Sequence, residues 1–230
     1  MTSWWKDVDK NEFPLIGVIS QTLDPYMADD PRFDGYSSYI MLDYVRFVEA
    51  NGARIVPIIN GEDEDVIREK LRHVNGVLMP GGDGHYYDTG KFVFEEIKKM
   101  NDQGEFFPLW GTCLGYEYMA AYTADAGQDI WGNYTIHQVS LPLEFTLPPE
   151  STRMFGGLGK KAYEFSKKNY TYNSHDYAVG PETYKSDVGL KDFWSVTSTS
   201  SLNDGRKFVA SIESFKYPFF ATQFHPERPS

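Results

Sequence analysis

Four short apolar runs, each followed by a segment of helical spacing, occupy the first 122 residues and restrict this chain to an α/β architecture. Leu15-Ile16-Gly17-Val18-Ile19, Arg54-Ile55-Val56-Pro57-Ile58-Ile59, Gly76-Val77-Leu78-Met79 and Phe107-Pro108-Leu109-Trp110 have the length and continuity of buried strands. Between them, the segment from Ser37 to Glu49 sets Ile40, Tyr44, Phe47 and Val48 on one 3.6-period face, and Asn51-Gly52 stops it. Glu64 to Arg72 reads as a short acidic-to-basic helix, Phe92 to Asp102 aligns Val93, Ile97 and Met100, and Leu114 to Tyr122 reads as a fourth helix. Such alternation implies parallel strands joined by helices that cover both faces of a sheet.

After residue 122 the pattern changes. Val139 to Leu147, Trp194 to Thr199, Lys207 to Glu213 and Phe219 to Phe224 read as strands, with Asn203-Asp204-Gly205 as a hairpin turn. No linker or repeat interrupts the 230 residues, so one domain is expected, with its later strands extending the sheet antiparallel. Aromatic residues make up 16% of the chain, which excludes disordered and coiled-coil classes. The net charge of −11 argues against nucleic acid and anionic membrane surfaces as partners, and no run approaches the roughly 18 apolar residues of a membrane helix. The first residues carry no apolar signal-peptide core, whereas Asn133-Tyr134-Thr135 and Asn169-Tyr170-Thr171 are glycosylation sequons, by chance or through a secretory route.

Three segments carry chemistry. Gly111-Thr112-Cys113-Leu114-Gly115 stands where a strand turns into a helix, the cysteine form of a nucleophile elbow. The helix N-terminus would favour a thiolate there, and the N–H of Leu114 would donate to an oxyanion. Equally, the pentapeptide suits a buried cysteine in a glycine-bounded turn; Cys113 is the only cysteine. Phe224-His225-Pro226-Glu227 ends the last strand, so His225 could reach a thiol on a neighbouring strand and Glu227 could orient it, or both could lie in a polar tail. Pro80-Gly81-Gly82-Asp83 follows the third strand, where open α/β sheets bind ligands; Gly82 N–H is a second oxyanion candidate, against an ordinary βα turn. The Asp83, His85 and Asp88 cluster is of the kind polar glycine-rich loops often produce and is not taken as a metal site, and His73 and His137 have no evident partner.

Together these elements resemble the class I glutamine amidotransferase-like superfamily, and more closely its γ-glutamyl hydrolase branch, the folate polyglutamate hydrolases. The resemblance rests on Ile16-Gly17-Val18, the Glu49-Ala50-Asn51-Gly52-Ala53-Arg54 stretch, Asn75 to Gly82, Phe107 to Glu117 with its Trp110-Gly111-Thr112-Cys113-Leu114-Gly115-Tyr116-Glu117 run, Ser151 to Phe155, Asn173-Ser174-His175, and Lys216 to Glu227. It covers about residues 14 to 230. It implies a three-layer αβα sandwich of flavodoxin-like type around a mostly parallel sheet. It implies cysteine-dependent hydrolysis of γ-glutamyl amide bonds in folate polyglutamates or related peptides, without cofactor or metal. The alternatives are a glutaminase subunit that passes ammonia to a synthase, and a non-catalytic assembly protein that kept the fold. Carried over by position, Cys113 is the nucleophile, His225 the base and acid, and Glu227 its orienting carboxylate. Glu117, Arg153 and His175 become candidates for binding the small γ-glutamyl substrate, each with a structural role as the competing reading. Such enzymes work in lysosomes, vacuoles or outside the cell once a leader is removed. Family members continue for several tens of residues, including a helix on the sheet, after the His-Pro-Glu that lies near the end here. The expectation is an uncovered apolar sheet face, open to a second copy or a partner chain.

Overall fold

The computed structural model describes residues 12–228. The first half runs β1 (Leu15–Ile19), β2 (Gln21–Thr22), α1 (Pro25–Ala28), β3 (Ser38–Tyr39), α2 (Leu42–Ala50), β4 (Arg54–Ile58), α3 (Glu64–His73), β5 (Gly76–Met79), α4 (Tyr87–Asp102), β6 (Leu109–Thr112) and α5 (Leu114–Thr123). The second half adds β7 (Gly132–Leu141), β8 (Glu144–Phe145), α6 (Glu164–Lys167), β9 (Thr171–Ala178), α7 (Pro181–Ser186), α8 (Val188–Phe193), β10 (Trp194–Ser201), β11 (Lys207–Ser214) and β12 (Phe219–Thr222).

Eight strands form one sheet in the order β4-β1-β5-β6-β12-β11-β10-β8. The first five are mutually parallel and the rest antiparallel. The edge position of β4 explains how it tolerates Pro57, which has no N–H to give a further strand. Side-chain alternation divides the core. Val18, Leu78 and Trp110 meet Tyr44, Phe47 and Val48 of α2 on one face. Ile19, Val77, Met79 and Leu109 meet Ile67, Phe94, Ile97 and Met119 of α3, α4 and α5 on the other. A smaller core holds Leu143, Phe155, Ala178 and Phe208 under the ribbon formed by β7 and β9.

Some boundaries depart from the sequence reading. α2 begins at Leu42 rather than Ser37, because Ser38 and Tyr39 pair with β2. α4 begins five residues early, at Tyr87. The run from Val139 to Leu147 is two strands, broken at Pro142, and β9 adds a strand that the sequence pattern did not reveal. Beside α2 the sheet face is open, as an apolar groove of about 410 Å³ walled by Ile16, Phe47, Leu78, Trp110 and Phe220.

Candidate active site

The parallel pairing of β5, β6 and β12 brings three strand ends together, and all three sequence motifs meet there. Cys113 follows β6 directly and caps α5, with φ 51° and ψ −108°. A side-chain-bearing residue in that region is strained, at a cost of about 1–3 kcal/mol that the surroundings must offset. They do so through backbone bonds and close packing. Cys113 N–H donates to the Thr222 carbonyl at 2.8 Å, and Glu117 N–H donates to the Cys113 carbonyl at 2.9 Å. A Cβ on Gly115 would stand 2.1 Å from the Met79 carbonyl oxygen, and one on Gly111 2.6 Å from Met119 Sδ, so the elbow closes only around glycines.

His225 lies just past β12, whose Thr222 pairs with Thr112 of β6. Its Nδ1 is 2.6 Å from Glu227 Oε1, and the two side chains are 5% and 1% exposed. His225 N–H is anchored to the Tyr172 carbonyl at 2.8 Å. A Cβ on Gly81 would fall 2.8 Å from Cys113 Cβ and 3.0 Å from His225 Cε1, so the cysteine and the imidazole close on one bare glycine. Gly82 and Leu114 border the same pocket of about 490 Å³.

The electrostatics correct one expectation. Burial raises the Cys113 thiol well above its ordinary range, aided by Glu117 and Glu227, and this outweighs the opposing effect of Leu114 N–H. Cys113 therefore rests as a thiol, and the helix terminus alone does not ionise it. Burial also lifts Glu117 to about 7, against the lowering effect of its bond from Gln223 Nε2 at 2.9 Å. His175 is pushed down to about 4 by burial and by His225, and its buried ring nitrogens have no hydrogen-bond partner among the described residues.

Arg153 does not join this group. Its guanidinium donates to the carbonyls of Tyr217, at 3.0 Å, and Ser214, and lies over the Phe220 ring. The loop before Phe155 runs along β11, where Glu213 accepts the Arg153 and Met154 N–H groups, so Arg153 braces the fold and does not line the pocket. The guanidinium at the pocket belongs instead to Arg228, set over the Tyr172 ring. Sequence reasoning also passed over Gln223, whose Nε2 is 3.8 Å from Cys113 Sγ. It lies just past β12, where the chain bends towards His225, and no local pattern singled it out. Gln21 and Tyr44, which contact the Gly81 turn, had no local signal. Burial, with Glu227 and Cys113 nearby, holds the Tyr44 phenol protonated. His137 pairs with Asp176 at 3.2 Å on the pocket rim, and His73 with Glu69 at 2.9 Å on α3. Among the described residues no three His, Cys, Asp or Glu side chains are placed to hold a metal.

Residues 33–230 match the family model for class-I glutamine amidotransferase. The chain is 33% identical to a γ-glutamyl hydrolase from Mus musculus, over 95% of this chain and 68% of that one. It is 31% identical to γ-glutamyl hydrolase B from Dictyostelium discoideum, over 95% of this chain and 63% of the relative. It thus spans about two thirds of the length of these relatives. A solved structure described as a GMP synthase component from Thermoplasma acidophilum superposes with a TM-score of 0.52 at 16% identity, over 94% of this chain and 85% of the other, a likeness of fold.

Proposed function

The chain belongs to the γ-glutamyl hydrolases of the class I glutamine amidotransferase family and is a hydrolase of γ-glutamyl bonds, and from that premise we propose that Cys113 is its nucleophile, His225 its general base and acid, and Glu227 the carboxylate that orients His225. The observation that carries this assignment is the buried His225–Glu227 pair, 2.6 Å apart, beside a cysteine on a strained elbow. Glu227 occupies Nδ1, so Nε2 takes the thiol proton as Sγ attacks the γ-carbonyl carbon. The carbonyl oxygen gains the displaced electron pair and accepts from the N–H groups of Gly82 and Leu114. When the C–N bond breaks, His225 returns the proton to the leaving amine and a γ-glutamyl thioester remains on Cys113. Water, deprotonated by His225, attacks that thioester, the C–S bond breaks with the proton returning to sulfur, and the acyl portion leaves with a free γ-carboxylate. A thiol held protonated by burial needs such a base, which suits proton transfer coupled to attack.

Folate polyglutamates, or related γ-glutamyl peptides, are the substrates of this reading. Their leaving group is an amino acid bearing carboxylates. Arg228 is the one Arg or Lys among the described residues that line the pocket, and its planar fork suits a carboxylate. His175, with two unbonded nitrogens, offers a neutral donor, while Glu117 and Gln223 tie α5 to the end of β12. A lysosomal, vacuolar or extracellular setting belongs to the same proposal. Asn133 and Asn169 of the two sequons are exposed, and among the described residues no helix is long and apolar enough to cross a membrane. Mass spectrometry of the products from folate pentaglutamate tests the reading. Shortened folates released by the wild type and not by Cys113→Ala support it. Intact folate together with ammonia released from glutamine would replace it with a glutaminase.

A further inference from the structure

The turn after β5 supplies the proposed oxyanion donor, and two buried side chains from distant parts of the chain grip it. Gln21 is 0% exposed. Its Nε2 donates to the Gly81 carbonyl at 3.0 Å and its Oε1 accepts the Gly84 N–H at 3.0 Å, so one amide spans the turn. The Tyr44 hydroxyl accepts the Gly81 N–H at 2.6 Å. Gly82 N–H, in contrast, has no partner among the described residues. In a planar trans peptide, the carbonyl of Gly81 and the N–H of Gly82 point in opposite directions. Fixing the first on Gln21 therefore fixes the second away from Gln21. Gly82 borders the Cys113 pocket. Its φ of +143° favours glycine, and a Cβ there would stand 2.3 Å from Gln21 Oε1, so turn and amide fit only without a side chain.

A Gly-Gly peptide has little intrinsic barrier to rotating as a unit. Rotation would present the Gly81 carbonyl, an acceptor, where negative charge develops during attack. We infer that Gln21 and Tyr44 are positioning residues that clamp the Gly81–Gly82 peptide and keep its N–H available to the oxyanion. The inference rests on the proposal that Cys113 attacks a γ-carbonyl.

The test compares three readouts in full-length wild type, Gln21→Met and Tyr44→Phe. The first is kcat and KM on a γ-glutamyl anilide. The second is inhibition by a γ-glutamyl aldehyde, whose hemithioacetal oxygen occupies the oxyanion position. The third is alkylation of Cys113 by iodoacetamide, a displacement that forms no oxyanion. Losing an oxyanion donor outright costs about 10²–10³ in kcat. A misaimed donor in Gln21→Met should lower kcat roughly 30- to 100-fold, weaken the aldehyde by a similar factor, and leave KM and alkylation within about threefold. Tyr44→Phe, which retains its ring, should move the same two readouts about five- to tenfold. If Gln21→Met does not fold, Tyr44→Phe decides on the same measurements. Unchanged kcat and aldehyde affinity would overturn the inference. So would alkylation that falls in step with them, because the damage would then lie in the thiol. A wild type that neither cleaves nor is alkylated at Cys113 would instead remove the underlying proposal, and the inference with it.

Discussion

Cys113 sits on the elbow with its thiol kept neutral by burial, and His225, the base in the proposed reaction, is buried beside the same pocket. Cys113→Ala should fold normally and retain less than about a thousandth of wild-type turnover, as initial rates would show, because a covalent route is worth several orders of magnitude. His225→Asn should be nearly as damaging. Glu227→Gln keeps a side chain of the same shape against Nδ1 and should cost less, since it orients the base and does not itself move the proton. Equal losses in kcat for these two variants would give Glu227 more than an orienting role. Glu117 carries a stability prediction. Its carboxyl pKa rises from 4.5 to about 7 on folding, so the folded state binds this proton more tightly. The stability from this group is full below about pH 4.5 and is lost as pH rises towards 7, on the order of 3 kcal/mol in all. His175 acts in the opposite sense. Its pKa falls from 6.5 to about 4, so its contribution is full above pH 6.5 and lost on acidification. Thermal melts of Glu117→Gln and wild type isolate the glutamate: the variant should gain relative stability between pH 4.5 and pH 8.

At the scale of elements, the site depends on how closely α5 can lie against β5 and β6. Gly115 lets the first turn of α5 touch the Met79 carbonyl, and backbone cannot yield there as a flexible side chain would. Gly115→Ala should therefore cost on the order of 3 kcal/mol and lower the melting temperature, with the change tracked by circular dichroism. The braces beyond the pocket act differently. Arg153 joins the loop after β8 to the end of β11 through two backbone carbonyls. Arg153→Met should lower the melting temperature and leave KM unaltered for γ-glutamyl-glutamate and for a neutral γ-glutamyl anilide alike. Arg228→Met should do the reverse, raising KM for γ-glutamyl-glutamate roughly tenfold or more while sparing the anilide, because one charge-assisted bond is worth about 1.5–3 kcal/mol. Steady-state kinetics on the two substrates separate these outcomes.

Across the whole molecule, the two sheet faces are unequally covered. α3, α4, α5 and α8 pack one face densely, whereas α2 covers only part of the other and leaves the groove walled by Leu78, Trp110 and Phe220. An apolar concavity of this kind should bind a hydrophobic dye or draw copies of the chain together. Dye titration alongside light scattering checks this: a monomer silent to dye would mean that the groove is closed in solution. The pocket that holds Cys113 shares no lining residue with the groove and is walled largely by polar and charged side chains, so occupation of the groove should leave the proposed chemistry intact.

What the sequence alone determined was whatever is written within one turn or one strand. The period of the apolar runs specified the alternating strands and helices, and the G-x-C-x-G spacing offered an elbow as one of two readings, with the tight contacts that exclude a Cβ at Gly111 and Gly115 visible only in the structure. Histidine two residues before glutamate, after an apolar strand, offered the pairing of His225 with Glu227 against a polar tail, and the buried 2.6 Å contact decides between the two. The tertiary structure decided what depends on pairing between distant segments. Inserting β12 beside β6 carries Gln223 to Cys113 across 110 positions, and β2 and α2 deliver Gln21 and Tyr44 to the Gly81 turn. It also decided direction: a motif places Arg153 near the family pattern, but only packing against β11 shows its guanidinium turned from the pocket. The thiol shows the same division. Its place at a helix N-terminus is local and argues for ionisation, whereas its burial is a property of several strands and helices closing together, and at Cys113 burial is the larger effect.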